Sequence, residues 1–252
     1  MVLKLFDRRF AVQLREDHKI NPWSWDIEQQ YHNFILSGGA AEFITKLNSD
    51  IAMAEKEGDE WNDPQNEAYL YDQMQDLYTT EVEAYHTLKG LQEKNIPQLF
   101  ACFTVPCSSS SQELSVHKYI DTPGVPLQYI DGFPLTNIAV HAPRETWQST
   151  CDNAIHIIHL IDDRGILNED VKTRSFIMRE NPKGIFHVFM MDFALCHFRR
   201  EYQDEVDWWG WKALQDEEGA VGYIMQKYLQ GGFVYHRSAL YEKLDQDFRM
   251  GD

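Results

Sequence analysis

The sequence predicts an α+β protein with a strand-rich N-terminal half and a helical C-terminal half. Three patterns carry this prediction. Within residues 146–162, Ala154, Ile155, Ile158 and Ile161 recur at helical spacing and mark one apolar stripe. Two runs of β-formers, 176–179 and 185–191, flank the turn Asn181-Pro182-Lys183-Gly184 and read as a hairpin. Further β-rich runs at 99–105, 114–120 and 125–130 place strands before the helical half.

Taken in order, the chain opens with an apolar run, 2–6, interrupted by Lys4, that reads as a strand. Residues 8–76 look helical and polar, with breaks at Asn48-Ser49-Asp50 and Gly58-Asp59. The acidic stretch 55–76 reads as a solvated face. Residues 77–91 predict a helix with Val82, Tyr85, Leu88 and Leu91 toward a core. Pro97 ends it, and the strand 99–105 and a serine-rich loop, 107–112, follow. The turn Asp121-Thr122-Pro123-Gly124 separates strands 114–120 and 125–130. Gly132 and Pro134 mark a boundary between residues 1–130 and 131–252. Gly165 stops the helix 146–162, and a short loop, 167–175, leads into the hairpin. Beyond Asp192 come an arginine-rich loop, the cluster Trp208, Trp209 and Trp211, a helix near 216–229, Gly231-Gly232 and a last helix near 239–248.

Composition narrows the function classes. The 252 residues suffice for one large domain or two small lobes. A net charge of -17 argues against a nucleic-acid backbone or an anionic membrane surface as partner. No apolar run approaches the roughly 18 residues of a membrane span. Lys4 and Asp7 interrupt any signal-peptide core. Cysteines at 102, 107, 151 and 196 show no C-x-x-C spacing, so reduced thiols in the cytoplasm or nucleus are expected.

The chemistry sits around the hairpin. Asp170 lies in the loop after the apolar helix, Lys172 two residues on, and Asp192 closes the second strand, followed by Phe193. Phosphoryl transfer needs such a pair of carboxylates: one orients the attacking hydroxyl, the other holds the metal that bridges nucleotide phosphates. A lysine beside them neutralises charge on the transferred group.

These segments, GILNEDVKTRSFIM and VFMMDFALCHFRRE, resemble the catalytic-loop and Asp-Phe-Gly segments of protein-kinase-like folds, and are most similar to kinase-like proteins common in filamentous fungi. VLKLFDRRFAVQLR resembles the strand with the phosphate-binding lysine, here Lys4. EVEAYHTLKGLQEKNIPQLF resembles the regulatory helix with its glutamate partner, by spacing Glu81, with Glu83 nearby. GVPLQYIDGFPL resembles the adenine-binding hinge, around Gln128, Tyr129 and Ile130. The segments stand in family order. The resemblance implies a bilobal kinase-like fold: a partial, strand-containing N-lobe at 1–130 with a helical insertion at about 8–76, and a mainly helical C-lobe at 131–252. It implies ATP and magnesium as cofactors, Asp170 and Lys172 as catalytic residues, and Asp192 and Ser175 as metal ligands.

The chain departs from the family pattern in four places. The first two strands and the glycine-rich loop expected before Lys4 are absent, so the N-lobe reads as degenerate or truncated. Ser175 replaces the asparagine that binds the second metal, and a hydroxyl is a weaker ligand than an amide carbonyl. Asn168-Glu169 replaces the usual His-Arg. Ala194 replaces the glycine of Asp-Phe-Gly and restricts the backbone. The expected function is therefore a kinase-like protein that transfers phosphate weakly or not at all and acts through binding. The alternatives are an active Mg-ATP-dependent phosphotransferase acting on a protein or small-molecule hydroxyl, and an ATP sensor without transfer. Trp23, Trp25, Tyr31, Phe34 and Phe43 predict that the insertion packs as helices, as core or as the seat of a protein partner.

Overall fold

The computed structural model describes residues 1–50, 60–106 and 118–249, the last without its side chain. It is an α+β structure of two compact units, residues 3–79 with 101–126, and residues 1–2 with 80–100 and 127–252.

The first unit contains a three-stranded sheet of order β1-β3-β2, from β1 (Val2–Leu5), β2 (Phe103–Val105) and β3 (Thr122–Leu127). β3 is antiparallel to β2, with Phe103 opposite Gly124. The run Thr122-Pro123-Gly124 is thus strand, not the turn its composition suggests. Pro123 lacks an N–H, but its carbonyl accepts the Phe6 N–H at 2.9 Å. Gly124 is required there because a Cβ would meet Leu5, Phe103 and the Lys4 carbonyl at 2.7–2.9 Å. Of the expected strand 99–105, only 103–105 is strand, and Leu99 makes a lone bridge to Leu127. Residues 118–120 form a turn, and 107–117 lie outside the described residues.

The expected helical insertion is present as α1 (Val12–Asp17), α2 (Trp25–Leu36), α3 (Gly39–Leu47) and the start of α4 (Asp63–Thr87). Ser24 caps α2 by accepting the Ile27 N–H at 3.2 Å. Gly38, with φ +82, makes the left-handed turn into α3. Tyr31, Ile35, Ala40, Phe43, Leu47, Ala68 and Leu70 form the core of this unit. Trp25 does not join it and is 65% exposed. A buried ionic cluster replaces part of the apolar core: Arg8 pairs with Glu28 and Glu67, and Arg15 with Glu67. The Arg8 guanidinium lies 4.3 Å from the Tyr31 ring centroid.

The second unit contains the end of α4, β4 (Phe133–Pro134), α5 (Ile138–His141), α6 (Trp147–Asp162), β5 (Ile166–Asn168), β6 (Phe176–Glu180), β7 (Phe186–Met190), β8 (Cys196–Phe198), α7 (Glu205–Gln215), α8 (Glu217–Leu229) and α9 (Ala239–Leu244). The predicted stripe of α6 is its buried face: Ala154, Ile155, Ile158 and Ile161 are at most 8% exposed. Each such isoleucine contributes about 1.5–3 kcal/mol by burial. Gly165, with φ +68, turns the chain out of the helix. The hairpin β6–β7 forms as predicted, with Phe176 opposite Met190, and β4 extends it. β5 and β8 form a separate antiparallel pair. The end of α4 directs Glu81, Ala84 and Tyr85 inward, Leu88 just beyond it is also buried, and Val82 is only half-buried. The predicted last helix ends at Leu244, where the coil widens into a π-type turn. Among the described residues no helix is long and apolar enough to cross a membrane. Cys102, Cys151 and Cys196 are free thiols.

Candidate functional site

Two short antiparallel strands bring the chemistry together. β5 pairs with β8 so that Asn168 stands opposite Cys196. The loop leaving β5, with Glu169 and Asp170, therefore lies beside the loop entering β8, with Asp192 to Leu195. The Glu169 N–H donates to the Leu195 carbonyl at 2.9 Å.

Asn168 is fully buried and joins the two loops. Its Nδ2 donates to the Asp192 carbonyl at 3.0 Å, and its Oδ1 accepts the Asp170 N–H at 2.9 Å. Its own backbone N–H donates to Glu217 Oε1 at 2.8 Å. A second tie runs from the Met191 N–H to the Ser175 carbonyl, at 2.8 Å.

The Lys172 ammonium pairs with the Asp170 carboxylate; their side chains are 50% and 26% exposed. The Ser175 hydroxyl donates to the Asp170 carbonyl at 3.3 Å. Asp192 has φ +69, in the left-handed region that aspartate enters at a modest cost. Phe193 next to it is fully buried, with its ring edge-on to Tyr85 at 5.3 Å.

Tyr85 stands one turn after Glu81 on α4. Burial pushes the Tyr85 phenol well above its ordinary range, and the charges of Glu81 and then Asp192 push it the same way. Glu81 is itself fully buried, whereas Glu83 is half-buried and pairs with Arg200. Glu81 is thus the inward residue of the two.

Beneath the paired loops lies a buried ionic group. Lys212, fully buried, pairs with Asp162 and Glu217. Burial pushes the Glu217 carboxyl up to about 7, although Lys212 pulls it down. This group anchors Asn168 through Glu217 and so supports the loops from below.

The remaining predicted residues lie on other elements. Lys4 belongs to the first unit, on β1, with its ammonium 5.2 Å from the Phe6 ring centroid. Gln128 is held to the chain after α4: its N–H donates to the Gln98 carbonyl at 2.8 Å, and its Oε1 accepts the Gln98 N–H at 3.2 Å. Tyr129 is 57% exposed and Ile130 is buried. Sequence reasoning passed over the bridging of Asn168 and the charge of Glu217. Their only signals are a polar residue closing an apolar run and an acidic pair opening α8. Among the described residues no three His, Cys, Asp or Glu side chains are grouped to hold a metal by themselves.

No protein-family model and no curated protein matches the sequence. Solved structures of similar fold include the Rio2 kinase from Chaetomium thermophilum in an ADP/Mg2+-phosphoaspartate complex. Its TM-score is 0.46 at 11% identity, over 71% of this chain and 45% of that one. The Rad53 kinase domain with SCD2 gives a TM-score of 0.42 at 19% identity, over 70% of this chain and 66% of that one. The same Rad53 region in complex with AMPPNP gives 0.39 at 14% identity, over 66% and 61%. The chain therefore spans less than half of the Rio2 structure. The functional reading rests on the loops themselves.

Proposed function

We propose that this is a protein-kinase-like protein whose second unit holds the phosphates of a magnesium nucleotide at the loops of Asp170 and Asp192, with phosphoryl transfer weak or absent, so that it acts through binding. The observation that carries the proposal is the Asn168 side chain, which binds the backbone of both aspartates and fixes one loop against the other. A buried amide spent on such a tie is what a site with two precisely spaced carboxylates requires.

The donor set fits magnesium. That ion takes one or two carboxylates and completes its shell with phosphate oxygens and water. Asp192 supplies a carboxylate. The Ser175 hydroxyl spends its proton on the Asp170 carbonyl and keeps oxygen lone pairs for a cation. Lys172 supplies a positive charge for a phosphoryl group. Weak transfer follows from the ligand set: the Ser175 hydroxyl stands where an amide carbonyl would bind the second metal more strongly.

The test is a thermal-shift titration of the intact protein with ATP, with and without magnesium. A magnesium-dependent rise in Tm is expected, and Asp192→Asn should remove the dependence on magnesium. No shift at millimolar nucleotide would sink the proposal.

A second reading, an active phosphotransferase on a hydroxyl, is favoured by the Asp170–Lys172 contact, since both groups of the transfer step are then in place. Label transferred from γ-labelled ATP and lost in Asp170→Asn would establish it. Label that persists in Asp170→Asn would exclude Asp170 as the group that orients the hydroxyl.

A further inference from the structure

The second unit has another polar concavity, built from residues that the paired loops do not use. Lys94 and Asn95 follow α4, Asn153 and His156 lie on α6, and His187 lies on β7; together they line a cavity of about 160 Å³. Asn153 and His156 are three residues apart on one helix and share a face. The turn bearing Lys94 is fixed by its backbone. Glu93 takes φ +67, Lys94 and Asn95 both donate N–H groups to the Leu91 carbonyl, and the Asn95 carbonyl accepts the Met190 N–H at 2.8 Å. Ile157 and Val188, both buried, form an apolar wall.

The lining has a one-sided chemistry. It contains an ammonium, two amides and two imidazoles, and no carboxylate, in a chain of net charge -17. Glu93 and Asp152 are sequence neighbours of the lining residues but do not line the cavity. Among the described residues, the Lys94 ammonium, the Asn153 amide and the His156 ring have no polar partner. The His187 Nε2 meets the Asn181 amide at 3.3 Å, which leaves Nδ1. These donors belong to exposed side chains, so they line an open, solvent-facing concavity against an apolar wall.

We propose that this cavity binds a tetrahedral oxyanion, a phosphoryl group presented as free phosphate or on a phosphorylated side chain. Such a group brings several strong acceptor oxygens and a charge that the lining donors complement. A metal ion is a poorer match, because two imidazoles have no third ligand of that kind beside them. The overall negative charge slows approach of an anion at long range, so affinity must come from the local donors.

The experiment is NMR of the His156 and His187 ring nitrogens in the whole protein, titrated with inorganic phosphate and, separately, with phosphoserine at fixed pH and ionic strength. These signals report this cavity, so phosphate held at the Asp170 and Asp192 loops does not enter the reading. Saturable shifts are expected, weakened at least about tenfold in Lys94→Gln by loss of a charge-assisted hydrogen bond. Lys183→Gln, on the hairpin turn outside the cavity, should leave the affinity unchanged. Tighter binding of phosphoserine assigns the site to a phosphorylated side chain, and tighter binding of phosphate assigns it to the free ion. Non-saturating shifts, or equal affinity in Lys94→Gln and the parent, would overturn the proposal. If Lys94→Gln does not fold, Asn153→Ala on the exposed face of α6 gives the same discrimination.

Discussion

Replacing Asn168 by alanine isolates the tie between the two loops. The substitution removes one donor and one acceptor from a fully buried position, and it leaves the Asp192 carbonyl and the Asp170 N–H without their side-chain partners. Each buried polar group left unsatisfied costs about 1–3 kcal/mol. Two of them give about 2–6 kcal/mol, and entry of water at the loop end moves the expectation toward the lower part, about 3 kcal/mol. The tie also holds Asp192 at φ +69, a conformation that costs about 1–3 kcal/mol and needs such support. Asn168→Asp is the informative companion. It keeps an acceptor for the Asp170 N–H but faces the Asp192 carbonyl with a second acceptor, so it should be no better than alanine. Urea unfolding followed by tryptophan fluorescence measures both, since Trp208 is buried in the same unit. A loss below about 0.5 kcal/mol in Asn168→Ala, the range of an ordinary surface change, would refute the reasoning that the tie holds the loops together.

Three further outcomes follow from the same structure. Glu218, fully buried, accepts hydrogen bonds from His159 Nε2 and the Tyr235 hydroxyl, both at 2.6 Å, and from the Ser238 N–H at 2.8 Å. Burial alone would raise its carboxyl, but these partners hold it down to about 2, against an ordinary 4.5. That difference is worth about 3 kcal/mol, present above pH 4.5 and lost as pH falls toward 2. His159 is raised above 6.5, first by its bond to Glu218, so its share is full below 6.5 and lost as pH rises through the raised value. Unfolding free energy against pH should therefore show the pair's largest contribution between 4.5 and 6.5, and Glu218→Gln should flatten both limbs; an unchanged profile would exclude the pair as its origin. Lys212→Met strands Asp162 and Glu217 as buried carboxylates and should cost about 3–5 kcal/mol at pH 8. Because burial raises Glu217 to about 7, the deficit should shrink at pH 5, which a Tm series reads directly. Gly124→Ala places a Cβ 2.7 Å from Leu5 and should cost about 1–3 kcal/mol by overpacking; a neutral result in chemical denaturation would show that the sheet adjusts freely.

The parts of this structure that were legible in the sequence are those whose signal is local. The α6 stripe repeats every three to four residues and the hairpin alternates about an Asn-Pro-Lys-Gly turn, so each pattern is complete within its own segment. The placement of Asp170, Lys172 and Asp192 around that hairpin was legible for the same reason. The first half of β3, residues 122–124, was read as a turn because Pro123 and Gly124 are turn formers. Its strand conformation depends on β1 and β2, which lie far off in sequence and whose pairing no local pattern reports. The supports of the site are hidden in the same way. Asn168 reaches Asp192 across 24 residues, and Glu217 reaches Asn168 across 49. A polar residue at the end of an apolar strand looks like a loop residue until its partner strand is known.

This hidden layer also bears on function. Asn168 and Glu169 stand where the resembling family carries His-Arg, and the substitution read as a loss. In the fold, Asn168 binds both aspartate loops, and Glu217 and Lys212 hold Asn168 in turn. Loops with no ligand to position would have no need of three buried polar residues, each of which is costly to desolvate. Under the proposed function, these residues hold the geometry of Asp170 and Asp192. Substitutions at the two layers should therefore separate. Asp192→Asn should abolish the magnesium response at little cost in stability, because its carboxylate is exposed. Asn168→Ala should lower stability and the magnesium response together. If both variants instead lose stability equally and neither changes the nucleotide response, the buried layer serves the fold alone.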